Sequence, residues 1–151
     1  MSVIVRVFSR LWRNRGPLGT AKELYQYCIE RMQDWYFDMK FGLRTSSRIQ
    51  ANQLGYTNEA YHKYSPSDYI GFTKVMKCLP ICPGEDVFMD FGAGKGRVLI
   101  MAGQFPFRRI VGVDLSEDLI CMASENIQRA KKRLLCKDIE LIQSDITKYE
   151  P

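Results

Sequence analysis

At 151 residues and 46% hydrophobic content, with ordinary glycine and proline counts, the chain can bury one real core, fits one domain, and is not globally disordered. No run of about 18 apolar residues occurs, which excludes a membrane-spanning helix. The formal net charge of +5 lies entirely in the first third, where residues 1–50 hold nine Lys/Arg against four Asp/Glu, so a uniformly basic nucleic-acid surface is excluded as well.

In chain order, Ile4, Val7, Phe8 and Leu11 follow the spacing of one helix face, and Arg6, Arg10 and Arg13 lie on another. No acidic residue precedes Glu23. Three readings stand for this segment: a basic amphipathic helix on an anionic membrane surface, an organellar transit peptide, or an ordinary terminal helix. Gly16-Pro17 breaks the pattern, and a second helix is predicted from about Ala21 to Lys40, with Leu24, Tyr27, Cys28, Met32, Trp35 and Met39 as an apolar stripe. No basic residues interleave its aromatics regularly, so they are expected in core or interdomain packing rather than in stacking on bases. Phe41-Gly42-Leu43 is its exit.

Residues 45–61 are polar and read as a connection, and the lone histidine, His62, is expected at the surface. Tyr64-Ser65-Pro66-Ser67 introduces a helix from Asp68 to about Leu79, with Ser67 as its expected N-cap and Pro80 as its stop. Pro83-Gly84 then turns the chain into an apolar strand, Val87 to Asp90, which runs into Phe91-Gly92-Ala93-Gly94-Lys95-Gly96-Arg97 and at once into a helix capped near Gly103. A second buried strand, Arg109 to Asp114, again ends in an acid. Ser116-Glu117-Asp118 starts a helix with a hydroxyl cap and two carboxylates in its first turn, and its apolar face runs through Leu119, Ala123, Asn126 or Ile127, Ala130 and Leu134. Lys131-Lys132-Arg133 falls in its last turn, where the helix dipole accounts for it, and Ile139 to Gln143 forms a third strand with Ser144-Asp145 at its tip.

The order strand, helix, strand, helix, strand implies parallel pairing, and ligands of such sheets bind outside the carboxyl ends of the strands. Asp90, Asp114 and Asp145 all stand at those ends, which puts three carboxylates along one rim. The glycine turn is the candidate ligand cradle, because glycine lets bare backbone approach a ligand. Two phosphate motifs do not fit it: the dinucleotide fingerprint needs a small residue where Arg97 stands, and a P-loop needs Ser or Thr where Gly96 stands. The five cysteines are odd in number and include no C-x-x-C pair, so neither a disulfide framework nor a zinc site is expected; no metal is predicted, and a reducing, cytoplasmic compartment is the simplest expectation, with organellar import or peripheral membrane contact through residues 1–15 as alternatives.

The remaining pattern, Asp90-x-Gly92-x-Gly94-x-Gly96 with Asp114 at the end of the next strand, resembles the class I methyltransferases that use S-adenosylmethionine, over roughly residues 60–147. The resemblance implies an α/β, Rossmann-like methyltransferase fold, here reaching the third parallel strand in the partial order 3-2-1 and preceded by N-terminal helices. It assigns Gly92, Gly94 and Gly96 to the loop under the amino-acid portion of S-adenosyl-L-methionine, with Asp90 at its base. Asp114 would accept from both ribose hydroxyls, Leu115 would pack beside the adenine, Asp145 and Ile146 would meet the adenine edge, and Tyr64 could close over the methionine end. Asp145 also has a local alternative, capping the next helix. A narrower likeness, through Asp38-x-x-Phe41-Gly42-Leu43-Arg44-Thr45, Tyr64-Ser65-Pro66 and the Asp90–Arg97 turn, is to largely uncharacterised bacterial methyltransferases; the Tyr-x-Pro and the Gly-Arg after the loop are also similar to some protein-lysine methyltransferases.

In the family the motif that approaches the transferred methyl usually follows the fourth strand, so no catalytic residue is carried over, and the glycine-loop strand becomes an apolar edge here. The expectation is a helical, basic extension over residues 1–60 and a partial cofactor-binding domain over 61–151, which is a fragment of a longer protein or needs a partner over that edge. The expected function is methyl transfer to an unidentified small molecule or protein; the alternatives are a non-catalytic cofactor- or partner-binding remnant and a membrane-surface module.

Overall fold

The computed structural model describes residues 3–49 and 64–149, with side chains described from residue 16 onward. The helix face predicted through Leu11 and the histidine at position 62 therefore lie outside the residues whose side chains are described. The chain divides into two compact units, residues 1–33 and 34–151, so the boundary expected at residue 61 falls inside the second.

The first helix, α1, runs Val3–Phe41, and it is interrupted where Gly16-Pro17 predicts a break: Gly16 takes φ 68° and ψ −179°, and no intact helix passes through it. Thr20 Oγ1 donates to Gly16 O at 2.8 Å, which covers a carbonyl at the break. The helix leaves through Gly42, at φ 70°, with Leu43 N–H donating to Asp38 O at 2.8 Å. The apolar stripe, however, is not packed. Trp35 and Met39 are exposed in the second unit, as are Leu24, Tyr27, Cys28 and Met32 in the first. The face that the second unit buries carries Phe37 and Phe41 instead, together with Asp34 and Asp38, because that face also meets a buried arginine described below.

Helix α2 spans Tyr69–Cys78, and its N-cap is Asp68 rather than Ser67. The Asp68 carboxylate accepts from Ile70 N at 3.1 Å and Gly71 N at 2.7 Å, satisfying two of the helix's free donors at once, whereas the Ser67 carbonyl is taken by Arg97. The sheet follows as predicted. Strands β1 (Val87–Phe91), β2 (Arg109–Asp114) and β3 (Ile139–Gln143) pair in parallel in the order β1-β2-β3, with Asp90 opposite Gly112 and Asp114 opposite Gln143. The crossovers are α3 (Arg97–Ala102) and α4 (Glu117–Ala130), the latter capped by Ser116 Oγ accepting from Leu119 N at 3.3 Å. Lys131–Arg133 forms a separate 3-10 turn after α4.

Helix α3 is buried from Leu99 to Ala102, and α4 buries Leu119, Ala123, Asn126, Ile127 and Ala130. Helix α3 lies very near β2: a Cβ on Gly112 would collide with Leu99 Cδ1 and come within 3.0 Å of Ala93 Cβ. That contact draws the glycine turn down onto the sheet. Strand β1 is an edge of the sheet, with Val87 and Phe91 exposed, and Phe91 meets Tyr149 edge-on at 6.1 Å. Among the described residues no helix is long and apolar enough to cross a membrane, and no group of acidic, histidine or cysteine side chains could hold a metal ion.

Candidate functional site

The turn after β1 is closed by backbone bonds into the neighbouring strand. Gly92 N and Ala93 N both donate to Val113 O, at 2.8 and 3.0 Å, and Gly96 N returns to Ala93 O at 2.9 Å. Gly92, Gly94 and Gly96 all take positive φ, at 85°, 54° and 76°. A side chain at Gly96 would press on Ala123 Cβ at 3.1 Å, so this glycine lets α3 and α4 approach. Among the described residues nothing lies within 4 Å of a Cβ position at Gly92, so none of them closes the top of the turn to a ligand.

Two of the predicted acids meet at this turn. Asp114, 8% exposed, accepts from Gly94 N at 2.7 Å through Oδ2 and from Ser116 N at 2.9 Å through Oδ1. The family resemblance assigns this carboxylate to ribose hydroxyls only, and its bond to the turn is additional. Each carboxylate oxygen has room for a second donor, so holding the turn does not exhaust Asp114. Asp90 is different. Its Oδ2 is buried and receives no hydrogen bond among the described residues. Burial, followed by the charge of Asp114, pushes its carboxyl up to about 6.

An unpartnered carboxylate oxygen beside an open glycine turn calls for a cationic or N–H donor. The α-ammonium of an amino-acid ligand is such a group, and Asp114's remaining lone pairs suit a vicinal diol. The residues present therefore fit the amino-acid and ribose parts of S-adenosylmethionine. Farther along the rim, Ser144 N donates to Asp114 O at 3.0 Å, which ties the end of β3 to that of β2. Leu115 is half-buried there and Ile146 is exposed. Asp145 holds its own turn, accepting from Thr147 N at 3.0 Å and Thr147 Oγ1 at 2.7 Å, bonds that keep its carboxyl below the usual range. Among the described residues no helix follows β3, so Asp145 closes a turn rather than capping a helix.

Beside Tyr64, which the resemblance set at the methionine end, several residues given no role in the sequence converge on the same turn. Arg97 is 2% exposed and donates to Asp34 Oδ1 at 2.8 Å, Thr45 Oγ1 at 3.0 Å and Ser67 O at 2.9 Å, with its guanidinium 4.6 Å from the Phe37 ring centre. Lys95, also 2% exposed, donates to Ser47 O at 2.7 Å and Ser47 Oγ at 2.6 Å, and burial lowers its pKa. Tyr64 lies against Gly94, so that a Cβ there would be 2.6 Å from its ring, and its hydroxyl donates to Thr45 O at 2.9 Å; burial raises the phenol's pKa. Asn126 joins both sides, accepting from Arg44 N at 3.1 Å and donating to Lys95 O at 3.1 Å. Polar residues next to glycines were the visible signal, but partners this distant in sequence carry no spacing signature.

Part of the chain matches a known family model. Residues 89–151 match the family model described as methyltransferase domain. Among solved structures, an RNA methyltransferase from Salinibacter ruber in complex with S-adenosyl-L-homocysteine is 25% identical, with a TM-score of 0.48, over 56% of this chain and 52% of that one. A geranyl diphosphate C-methyltransferase from Streptomyces coelicolor A3(2), in complex with Mg2+, geranyl diphosphate and S-adenosyl-L-homocysteine, is 22% identical over 50% of this chain and 27% of its own, with a TM-score of 0.40. The tRNA (m1A58) methyltransferase TrmI from Aquifex aeolicus is 15% identical over 64% of this chain and 43% of its own, with a TM-score of 0.43. The chain thus spans about half the length of the Salinibacter protein and less of the other two. No curated protein matches it. Residues 89–151 are thus similar to a methyltransferase domain, and the parallel strand-turn-helix units they contain are consistent with the class I, S-adenosylmethionine-dependent fold.

Proposed function

We propose that this chain supplies the cofactor-binding part of a methyltransferase and itself binds S-adenosylmethionine at the Asp90–Gly96 turn. The observation that carries the reading is the buried Asp90 Oδ2, which has no hydrogen-bond partner among the described residues, beside a Gly92 that none of them crowds. In this arrangement Asp90 takes the ligand's ammonium, the turn lies under its amino-acid portion, and Asp114 accepts from the ribose hydroxyls while still holding Gly94 N–H. In the same reading Leu115 and Ile146 contact the adenine, and Asp145, which also accepts from Thr147 N, meets its edge. When bound, the cofactor supplies an electrophilic methyl group on a sulfonium centre. The protein's part is to fix that centre so that an acceptor meets it in line, which is catalysis by positioning.

The acceptor is proposed to be a small molecule or a protein, and a further segment or partner is proposed to cover the β1 edge. Peripheral membrane contact through residues 1–15 is a separate proposal, and flotation with anionic liposomes that is unchanged by deleting those residues would dismiss it. Calorimetry with S-adenosylhomocysteine on the unmutated chain, beside Asp114→Ala, tests the main reading. Saturable heat that the substitution abolishes supports it, and no heat from the folded, unmutated protein refutes it.

A further inference from the structure

We propose that Arg97 is a positioning residue for the amino-acid end of the cofactor site, acting through residues 34–49 and 64–67; the proposal rests on the cofactor reading above. A guanidinium this deeply buried is tolerated only when its donors are paired, and Arg97 finds its partners outside its own helix. They come from three separate stretches: Asp34 and Asp38 in the last turns of α1, Thr45 after it, and Ser67 before α2. One side chain therefore fastens three segments to the first residue after the glycine turn.

The fastening continues to the turn itself. Asp38, 3.7 Å from the guanidinium, accepts from Thr45 N and Ser46 N, each at 2.9 Å, from Thr45 Oγ1 at 2.5 Å and from Ser46 Oγ at 2.8 Å, so residues 45–46 are held from both sides. Thr45 O receives the Tyr64 hydroxyl, and Ser47 receives the Lys95 ammonium, which lies 4.9 Å from the Tyr64 ring centre. Tyr64 is in turn seated on Gly94, whose N–H is taken by Asp114. Gly94 is thus held by Tyr64 on one side and Asp114 on another. The Tyr64 side of that clamp depends on the Arg97 cluster, whereas the Asp114 side does not. Loss of Arg97 function should therefore loosen the part of the site under the methionine end and leave the ribose end in place.

That asymmetry separates positioning from a general contribution to folding. Arg97→Lys keeps a charge but loses the planar fork that reaches Ser67, Thr45 and Asp34 together. Binding of S-adenosylhomocysteine and of 5′-methylthioadenosine, which lacks the amino-acid portion, is measured on the full chain by calorimetry. The expected result is about a tenfold loss for S-adenosylhomocysteine, as for one lost charge-assisted hydrogen bond, with methylthioadenosine binding within about twofold of the unmutated protein. Equal losses for both ligands, or no loss for either, overturn the proposal. If Arg97→Lys does not fold, Thr45→Val, which deletes the hydroxyl between Arg97 and Asp38, is put through the same comparison with the same deciding outcomes. Failure of the unmutated protein to bind S-adenosylhomocysteine would instead refute the cofactor reading, so the two failures are distinguishable.

Discussion

Replacing Asp90 by Asn should raise the stability of the ligand-free protein and lower its affinity for the cofactor, and the first effect should depend on pH. The Asp90 carboxyl is pushed up to about 6 from an ordinary value of 3.8, mainly by burial and secondarily by Asp114. Because the folded value is the higher one, the native state holds the proton more tightly than the unfolded chain does. The stability this confers is complete below about pH 4 and is lost as pH rises through about 6. A separation of about two units corresponds to roughly 3 kcal/mol between the two limits. Asparagine never ionises, so the difference in unfolding free energy between Asp90→Asn and the unmutated chain should widen by about 2 to 3 kcal/mol between pH 4 and pH 7.5. Titrating groups other than Asp114, whose charge is coupled to that of Asp90, are common to both proteins and cancel in the comparison.

Urea unfolding followed by circular dichroism across that pH range measures the difference directly, provided that both proteins unfold in two states. Ligand binding supplies the opposing sign. An ammonium beside Asp90 favours the carboxylate, so S-adenosylhomocysteine should bind the unmutated chain more tightly at pH 7.5 than at pH 5, and the Asn variant should show a flatter profile and weaker binding by about tenfold at the higher pH. A stability difference that is the same at pH 4 and pH 7.5 would refute the argument that burial, rather than shape, makes Asp90 costly in the free protein.

Three other substitutions probe the frame around the turn. Gly94→Ala places a methyl group 2.6 Å from the Tyr64 ring at a residue with φ 54°, and calorimetry should find S-adenosylhomocysteine binding lost; affinity within about twofold would show that Tyr64 yields freely. Gly112→Ala crowds Leu99 and Ala93 beneath the sheet and should cost about 1 to 3 kcal/mol in urea unfolding, with an unchanged midpoint counting against the close approach of α3 to β2. Asn126→Ala strands Arg44 N–H and Lys95 C=O and should cost about 2 kcal/mol, read as a lower urea midpoint; a neutral result would mean that water replaces both bonds.

What could be read from the chain alone divides by the range of the interaction. The three strands, the positive-φ turn and the Ser116 cap follow from periodicity and from residues within a few positions of each other, and they appear where predicted. The N-cap of α2 shows the limit of that reasoning at its smallest scale. Ser67 and Asp68 are both good caps, and the choice fell to Asp68, whose carboxylate serves two donors while the neighbouring carbonyl is claimed by an arginine 30 positions away. The same arginine explains which face of α1 is buried. Its apolar stripe has regular helical spacing, yet Phe37 and Phe41 are the aromatics that the domain buries.

Orientation of an amphipathic helix is set by which face finds partners, and α1 presents carboxylates at positions 34 and 38 to a guanidinium 63 residues from the first of them. Turning Trp35 and Met39 inward would leave that guanidinium buried without its counter-charges, a loss of several kcal/mol, and would only exchange their burial for that of Phe37 and Phe41, so apolar burial offsets little of it. The sequence places Arg97 beside the glycine motif, where it counts against a dinucleotide fingerprint. In the fold its role is constructive: it joins the domain's N-terminal segments to the turn whose open backbone and unpartnered carboxylate form the candidate site.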